Sequence, residues 1–259
     1  MRDWRRAAPS HSDRTVTPRV DSVALVTGAG RRVGRAIAGA LGARGMHVVV
    51  HYNESAEGAG ECAAFITAAG GHASILQANL ADVGSCERLI DDVLRERGGL
   101  DVLVNSAAMM LRTPVGEVRA AEGDAMFALN VRAPFFLAQR AAAALRARRG
   151  CIVNIADLAA FETWPAYVPH SMTKAAVVQM TRGLAHALAP EIRVNAIAPG
   201  VILLPDGWSE AQGERLRSTT PLQRLGSPDD VAQAVTFLID AGFITGETII
   251  LDGGRHIRR

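Results

Sequence analysis

The sequence predicts a single doubly wound α/β domain over residues 21–259, a mostly parallel seven-stranded sheet flanked by helices. The first observation is that short β-branched runs alternate with longer helical patterns, as βαβ units with right-handed crossovers require. The second is composition: of 259 residues, 49% are hydrophobic but only 5% aromatic, which suits helices packed closely on a buried parallel sheet. The third is that no internal repeat and no long polar linker divides the chain after residue 20.

The seven runs are VALVT (23 to 27), HVVVH (47 to 51), ASILQ (73 to 77), DVLVN (101 to 105), CIVNI (151 to 155), IRVNAI (192 to 197) and ETIIL (247 to 251). Between the first two, VGRAIAGALGARG (33 to 45) is a helix with a glycine stop, and CERLIDDVLRERGG (86 to 99) is an amphipathic helix that ends the same way.

Charge and cysteine content narrow the class of function. The formal net charge is +2, and the first 19 residues hold five arginines and two aspartates, so the rest of the chain is close to neutral. A nucleic-acid face would need a basic stripe in the folded part, and none is legible. Residues 1–20 read as a flexible basic arm without the apolar core of a secretory signal, and no later apolar run approaches the roughly 20 residues of a membrane helix. Cys62, Cys86 and Cys151 are odd in number, widely spaced and set in apolar or helical contexts. They point to a reducing, cytoplasmic setting, with no disulfide framework and no metal site. The expected partner is therefore a small-molecule substrate, with no nucleic acid and no membrane.

In doubly wound sheets ligands sit beyond the carboxyl ends of the strands, which directs attention to the segment after each run. The first is TGAGRRVGRAIA, with Gly28, Gly30 and Gly34 leading into a helix. Glycines let a backbone turn tightly and approach a pyrophosphate, whose charge is favoured by the free amides of a helix start. By itself such a turn is weak evidence. It is joined by NSAA after the fourth run, LNVRAPF in the next helix, Lys174 four residues after His170, and RVNAIAPG at the sixth run. These five landmarks, in this order, resemble the short-chain dehydrogenase/reductase family across roughly residues 22 to 254, with its Rossmann-type fold and nicotinamide cofactor. Arg32 in place of a turn glycine, HYNES after the second run, and Asp157 where most relatives have a serine look most like the pteridine reductase branch, including dihydromonapterin-type reductases.

The resemblance implies cofactor contacts at Gly28, Gly30, Arg31, Arg32, Val33, Gly34, His51, Tyr52, Asn53, Ser55, Asn79, Leu80, Asn105, Ser106, Ala107, Lys174, Pro199, Gly200, Val201 and Ile202. An NAD enzyme usually ends its second strand with an acidic residue that holds the ribose 2′-hydroxyl and would repel a 2′-phosphate. Here the run ends in His51, Tyr52 and Asn53, with Arg31 in the turn and Ser55 nearby, so NADP(H) is the expected cofactor. Glu54 stands against that preference.

The same resemblance places the chemistry on Asn130, Asp157, His170 and Lys174, with Asn130 maintaining a water-linked proton path and Lys174 holding the nicotinamide ribose. His170 occupies the place of the family's catalytic tyrosine. Residues four apart share a helix face, so His170 and Lys174 point into one cleft. A phenol titrates near 10 and an imidazole near 6.5, so the imidazole begins closer to neutrality. A neighbouring ammonium favours neutral imidazole and a neighbouring carboxylate favours imidazolium, so an Asp157, His170, Lys174 cluster offers a charged donor. Tyr167 is a secondary candidate. Pro169 argues that it precedes the helix and that Val168 is extended.

Met110 takes the place of the stacking aromatic of the pteridine branch, and Trp164, Leu204 and Trp208 are candidates to line the substrate cleft. The expected activity is NADP(H)-dependent reduction of a pteridine. The alternatives are a carbonyl reductase or alcohol dehydrogenase on a 3-oxoacyl or polyol substrate, and an NADP(H)-binding sensor without turnover. By the resemblance the chain forms a homo-oligomer, a tetramer.

Overall fold

The computed structural model describes residues 22–204 and 209–257, so the arm expected over residues 1–20 and Trp208 lie outside the described residues. The strands are β1 (Val23–Val26), β2 (His47–Tyr52), β3 (His72–Gln77), β4 (Val102–Asn105), β5 (Cys151–Ile155), β6 (Arg193–Pro199) and β7 (Thr248–Leu251). Each begins and ends within a residue or two of its run in the sequence. The strand order is β3-β2-β1-β4-β5-β6-β7, and all six neighbouring pairs are parallel.

Side-chain alternation along the buried strands feeds two cores. Ala24, Val26, Val48, Val50 and Val104 face one side, where α1 (Arg32–Ala43), α2 (Ala56–Ala68) and α8 (Pro228–Asp240) bring Ile37, Leu41, Ile66, Val235 and Leu238. Leu25, Val49, Leu103 and Ile152 face the other, against Leu89, Ile90, Leu137, Leu145 and Ala185 of α3 (Val83–Arg97), α5 (Ala133–Arg148) and α6 (Val168–Leu188). The short helices α4 (Ala120–Phe127) and α7 (Glu210–Ser218) lie outside this sandwich in sequence order. Cys62, Cys86 and Cys151 are buried free thiols. No helix among the described residues is long and apolar enough to cross a membrane.

Local chemistry sets the element ends. Asp82 accepts a hydrogen bond from the Ser85 amide at 2.7 Å and so starts α3 a turn earlier than the apolar periodicity indicates, while Gly98, at φ +69°, ends it. In α6, Pro169 sits in the first turn, where its missing N–H has no helical partner to lose. Val168 is helical (φ −55°, ψ −49°) rather than extended, because the 3-10 turn Pro165–Tyr167 already winds the chain in the helical sense. Tyr167 stands just outside the helix, as the sequence indicates.

β1 and β4 are neighbours, and the chain order reverses between them, which opens a crevice at their carboxyl ends. β6 is tied to its surroundings by Asn195, whose Nδ2 donates to Ile244 O at 2.8 Å and whose Oδ1 accepts from Glu247 N–H at 3.0 Å. This side chain is 1% exposed and fixes the entry into β7. Replacing Asn195 by Ala leaves both backbone groups without partners, and we expect a loss of about 2–4 kcal/mol in urea unfolding.

Candidate active site

The turn after β1 is shaped by contacts that leave no room for side chains. Gly28 has φ +66°, and a Cβ there would lie 2.9 Å from Ala107 Cα; a Cβ on Gly34 would lie 2.3 Å from Gly28 O. At Gly30 a Cβ would come within 3.2 Å of Ser55 O and Ala59 N, so the turn packs directly on the start of α2. Arg31, the residue before α1, has no side-chain cap, and the free amides of the helix start face the crevice side of the sheet. Arg32 follows at φ +51°, a left-handed conformation that a non-glycine residue adopts at a cost of about 1 kcal/mol or more. Both arginines are exposed, and neither has an ion pair among the described residues. This backbone cradle with two free cations fits a dinucleotide's phosphates. Asn53 and Glu54 are exposed at the end of β2, and Tyr52 and Ser55 are half-buried.

His51 plays a different part from the one expected of it. It is 2% exposed; its Nδ1 accepts from the Gly28 amide at 3.1 Å, and its Nε2 donates to Ala78 O at 3.0 Å. Because Gly28 N–H can only donate, Nδ1 must be bare and the ring neutral. His51 thus clamps the turn from below, with both ring nitrogens occupied.

Thr27 was not singled out by sequence. Its hydroxyl accepts from Ser106 N–H at 3.0 Å and Ala107 N–H at 3.1 Å while donating to Val104 O at 3.3 Å. It thereby fixes the segment after β4 against the glycine turn. Further along that segment, Asn130 Oδ1 accepts from Met109 N–H and its Nδ2 donates to Met109 O, both at 2.8 Å, and Nδ2 also reaches Thr173 Oγ1 at 3.0 Å. The Asn130 side chain is therefore a clamp between this segment and α6, with both amide hydrogens engaged and one lone pair of Oδ1 still open. Asn130 lies in a π-helical turn, Ala128–Arg132, between α4 and α5.

The expected titratable cluster does assemble. Lys174 is 4% exposed, and its Nζ donates to Ile155 O, the last carbonyl of β5, at 2.8 Å. Burial pushes its pKa below the ordinary lysine value, and the Asp157 carboxylate opposes that shift. His170 Nε2 faces Asp157 Oδ2 at 3.5 Å, and His170 Nδ1 lies 3.3 Å from Met109 O. Asp157 Oδ1 accepts from Ala159 N–H at 2.8 Å, which fixes the carboxylate. His170 is buried at 2% exposure, whereas the Asp157 side chain is 24% exposed. The imidazole is shorter than a phenol and is drawn back to the Met109 carbonyl.

The remaining candidates surround this cluster. Tyr167 is half-buried and meets Trp164 edge-on, with ring centroids 6.2 Å apart, and the Trp164 indole donates to Glu162 Oε2 at 3.0 Å. Met110 is exposed, and Leu204 packs on Gly213 of α7. Asn79 is exposed with its Oδ1 accepting from Ala81 N–H at 3.1 Å; Leu80 is buried beside Asn105 and Lys174. Pro199 ends β6 buried, Gly200 donates to Leu251 O at 2.9 Å, and Val201 is half-buried. The side chains of Ile202 and Val33 pack in or against the core, so only their backbone is open to a ligand.

The clamp under the turn has a pH signature. Burial pushes the His51 pKa down to about 4, against an ordinary value near 6.5. The folded protein holds the ring neutral where the unfolded chain takes a proton, so stability is full above about pH 6.5 and falls until about pH 4. The expected loss is about 3 kcal/mol. Urea midpoints measured across that window should fall with pH, and His51→Gln should remove most of the slope.

Comparison with known proteins agrees with this geometry. A sequence model of the family described as enoyl-(acyl carrier protein) reductase matches residues 28–256. The 3-oxoacyl-(acyl-carrier-protein) reductase FabG of Staphylococcus aureus is 36% identical over 240 residues, covering 90% of this chain and 98% of the relative. Among solved structures, the angucycline C-6 ketoreductase LanV with bound NADP is 34% identical at TM-score 0.85, covering 91% of this chain and 96% of its own. A short-chain dehydrogenase/reductase from Serratia marcescens is 31% identical, also at TM-score 0.85, covering 91% and 98%. By the family model over residues 28–256 and by these relatives, the chain belongs to the short-chain dehydrogenase/reductase family.

Proposed function

We propose that the chain is an NADP(H)-dependent ketone reductase acting on a 3-oxoacyl or polyketide-like carbonyl. The observation that carries the chemistry is the Asp157, His170, Lys174 group at the carboxyl end of β5, two strands from the β1 that leads into the glycine turn. The ketone reading takes precedence over a pteridine substrate because FabG and LanV are both named for reduction of oxo groups, and because Met110, not an aromatic ring, is the side chain at the place of pterin stacking. NADP bound to LanV and the free Arg31 and Arg32 support the phosphorylated cofactor.

When bound, NADPH would supply the hydride for the carbonyl carbon. The glycine turn and the start of α1 would hold its phosphates, Arg31 and Arg32 its 2′-phosphate, and the Lys174 ammonium its nicotinamide ribose. The alkoxide that forms needs a proton. Met109 O can only accept, so His170 Nδ1 carries a hydrogen, and the buried Nε2, which has no hydrogen-bond partner among the described residues, faces Asp157 Oδ2 at 3.5 Å. Asp157 is the more exposed of the two, and it is the group that would hand a proton to the substrate oxygen, with His170 behind it. Subunit contacts in a homo-oligomer are placed on Phe127, Phe135 and Met172, exposed apolar side chains of α4, α5 and α6.

Assays of NADPH oxidation with a 3-oxoacyl thioester, a cyclic ketone and a dihydropterin decide between the substrates; turnover of the dihydropterin alone would sink the ketone reading, and cofactor binding without any turnover would favour a sensor. Asp157→Asn and His170→Ala should each lower kcat by about 100- to 10,000-fold. Arg31→Ala should weaken NADPH binding and leave the weaker NADH binding nearly unchanged in fluorescence titrations. Light scattering should give a mass above that of one chain.

A further inference from the structure

A line of hydrogen bonds with a fixed direction runs from α6 to the interior of the site. It begins at Val177 O, a helix carbonyl that can only accept, to which Thr181 Oγ1 donates at 2.8 Å. The Thr181 oxygen then accepts from Asn154 Nδ2 at 2.9 Å, which turns Asn154 Oδ1 towards β4. Asn105 must therefore present its amide nitrogen, and Nδ2 donates to Asn154 Oδ1 at 2.8 Å. Each orientation forces the next, so the amides cannot be flipped without breaking a bond. The line ends on Asn105 Oδ1, a buried acceptor on a residue 7% exposed, with no protein donor.

Asn105 lines a small cavity together with Thr27, Asn130, Ile155 and Lys174, with room for about one water molecule. The Thr27 hydroxyl and the Asn130 amide are already engaged, as described above. Lys174 has three N–H donors and spends one on Ile155 O. A buried acceptor with no donor costs about 1–3 kcal/mol, and a buried ammonium with few acceptors costs more. One water answers both needs, accepting from Lys174 Nζ and donating to Asn105 Oδ1.

We infer that Asn105 is a positioning residue for Lys174, holding a buried water that solvates the ammonium and keeps it charged inside the site. The inference rests on the reading of Lys174 as a residue of the reductase site. Its side chain acts through Lys174. Its part is to offset the desolvation that otherwise drives the Lys174 proton off, and Asp157 is the charged group that shares this task.

Two measurements test it. In pH profiles of kcat/KM, Asn105→Leu should move the alkaline limb to lower pH and lower kcat/KM on the order of tenfold. Asn195→Ala loosens the fold outside this line; it should lower Tm comparably and leave the limb in place. An Asn105→Leu profile parallel to wild type overturns the inference, because a purely structural role predicts that result. If Asn105→Leu does not fold, a crystal structure of the wild-type protein at atomic resolution decides instead. A water within hydrogen-bond distance of both Lys174 Nζ and Asn105 Oδ1 supports the inference, and an empty cavity overturns it. Failure of wild type to reduce any ketone would count against the functional reading, and the crystallographic result would still stand on its own.

Discussion

A buried ammonium needs acceptors and countercharge, and the arrangement at the carboxyl end of the sheet follows from that need. Lys174 reaches across from α6 to the last carbonyl of β5, a bond that exists because β5 ends there and its Ile155 carbonyl is free to accept. Two residues after β5 ends, Asp157 supplies the negative charge, and its own orientation is set by the Ala159 amide. The same lysine side chain ties helix to strand and holds positive charge where a nucleotide ribose would lie. Removing either the carbonyl's position or the carboxylate leaves an uncompensated charge in a nearly dry site.

Around this charge the protein uses neutral hydrogen-bond clamps to set backbone positions. Thr27 joins β1 to the segment after β4, His51 joins the glycine turn to β2 and β3, and Asn130 joins Met109 to α6 through Thr173. None of them needs a charge to do so, which keeps the electrostatics of the crevice in the hands of Arg31, Arg32, Lys174, Asp157 and His170. The Met109 carbonyl links the two sets, since it accepts from Asn130 and also fixes the His170 ring. That shared carbonyl explains why a histidine at this position is buried: it is held by the clamp while Asp157 takes the exposed place.

The sheet was legible in the sequence because fully buried parallel strands are short β-branched runs, and each run lies within a residue or two of a strand. The glycine turn and the 170–174 pair were legible for similarly local reasons. Thr27, Asn154, Thr173 and Thr181 were not, because a threonine or asparagine inside an apolar run looks the same whether its polar atom is satisfied locally or across 27 to 80 residues. The turn-holding part of His51 was not legible either, because sequence shows that it lies near a strand end but not which way the ring turns. The branch assignment rested on Arg32, the His-Tyr pair and Asp157. One of those features, His51, serves the turn rather than a ligand, and the relatives point to oxo-group reduction.

The proposed chemistry depends on His170 Nδ1 being committed to the Met109 carbonyl, which turns Nε2 to face Asp157. Nitrogen NMR of the 15N-labelled imidazole tests this most directly. The account predicts a protonated Nδ1 in the folded protein and an Nε2 resonance that moves when Asp157 is replaced by Asn. A bare Nδ1, with an Nε2–H signal indifferent to Asp157→Asn, would contradict it.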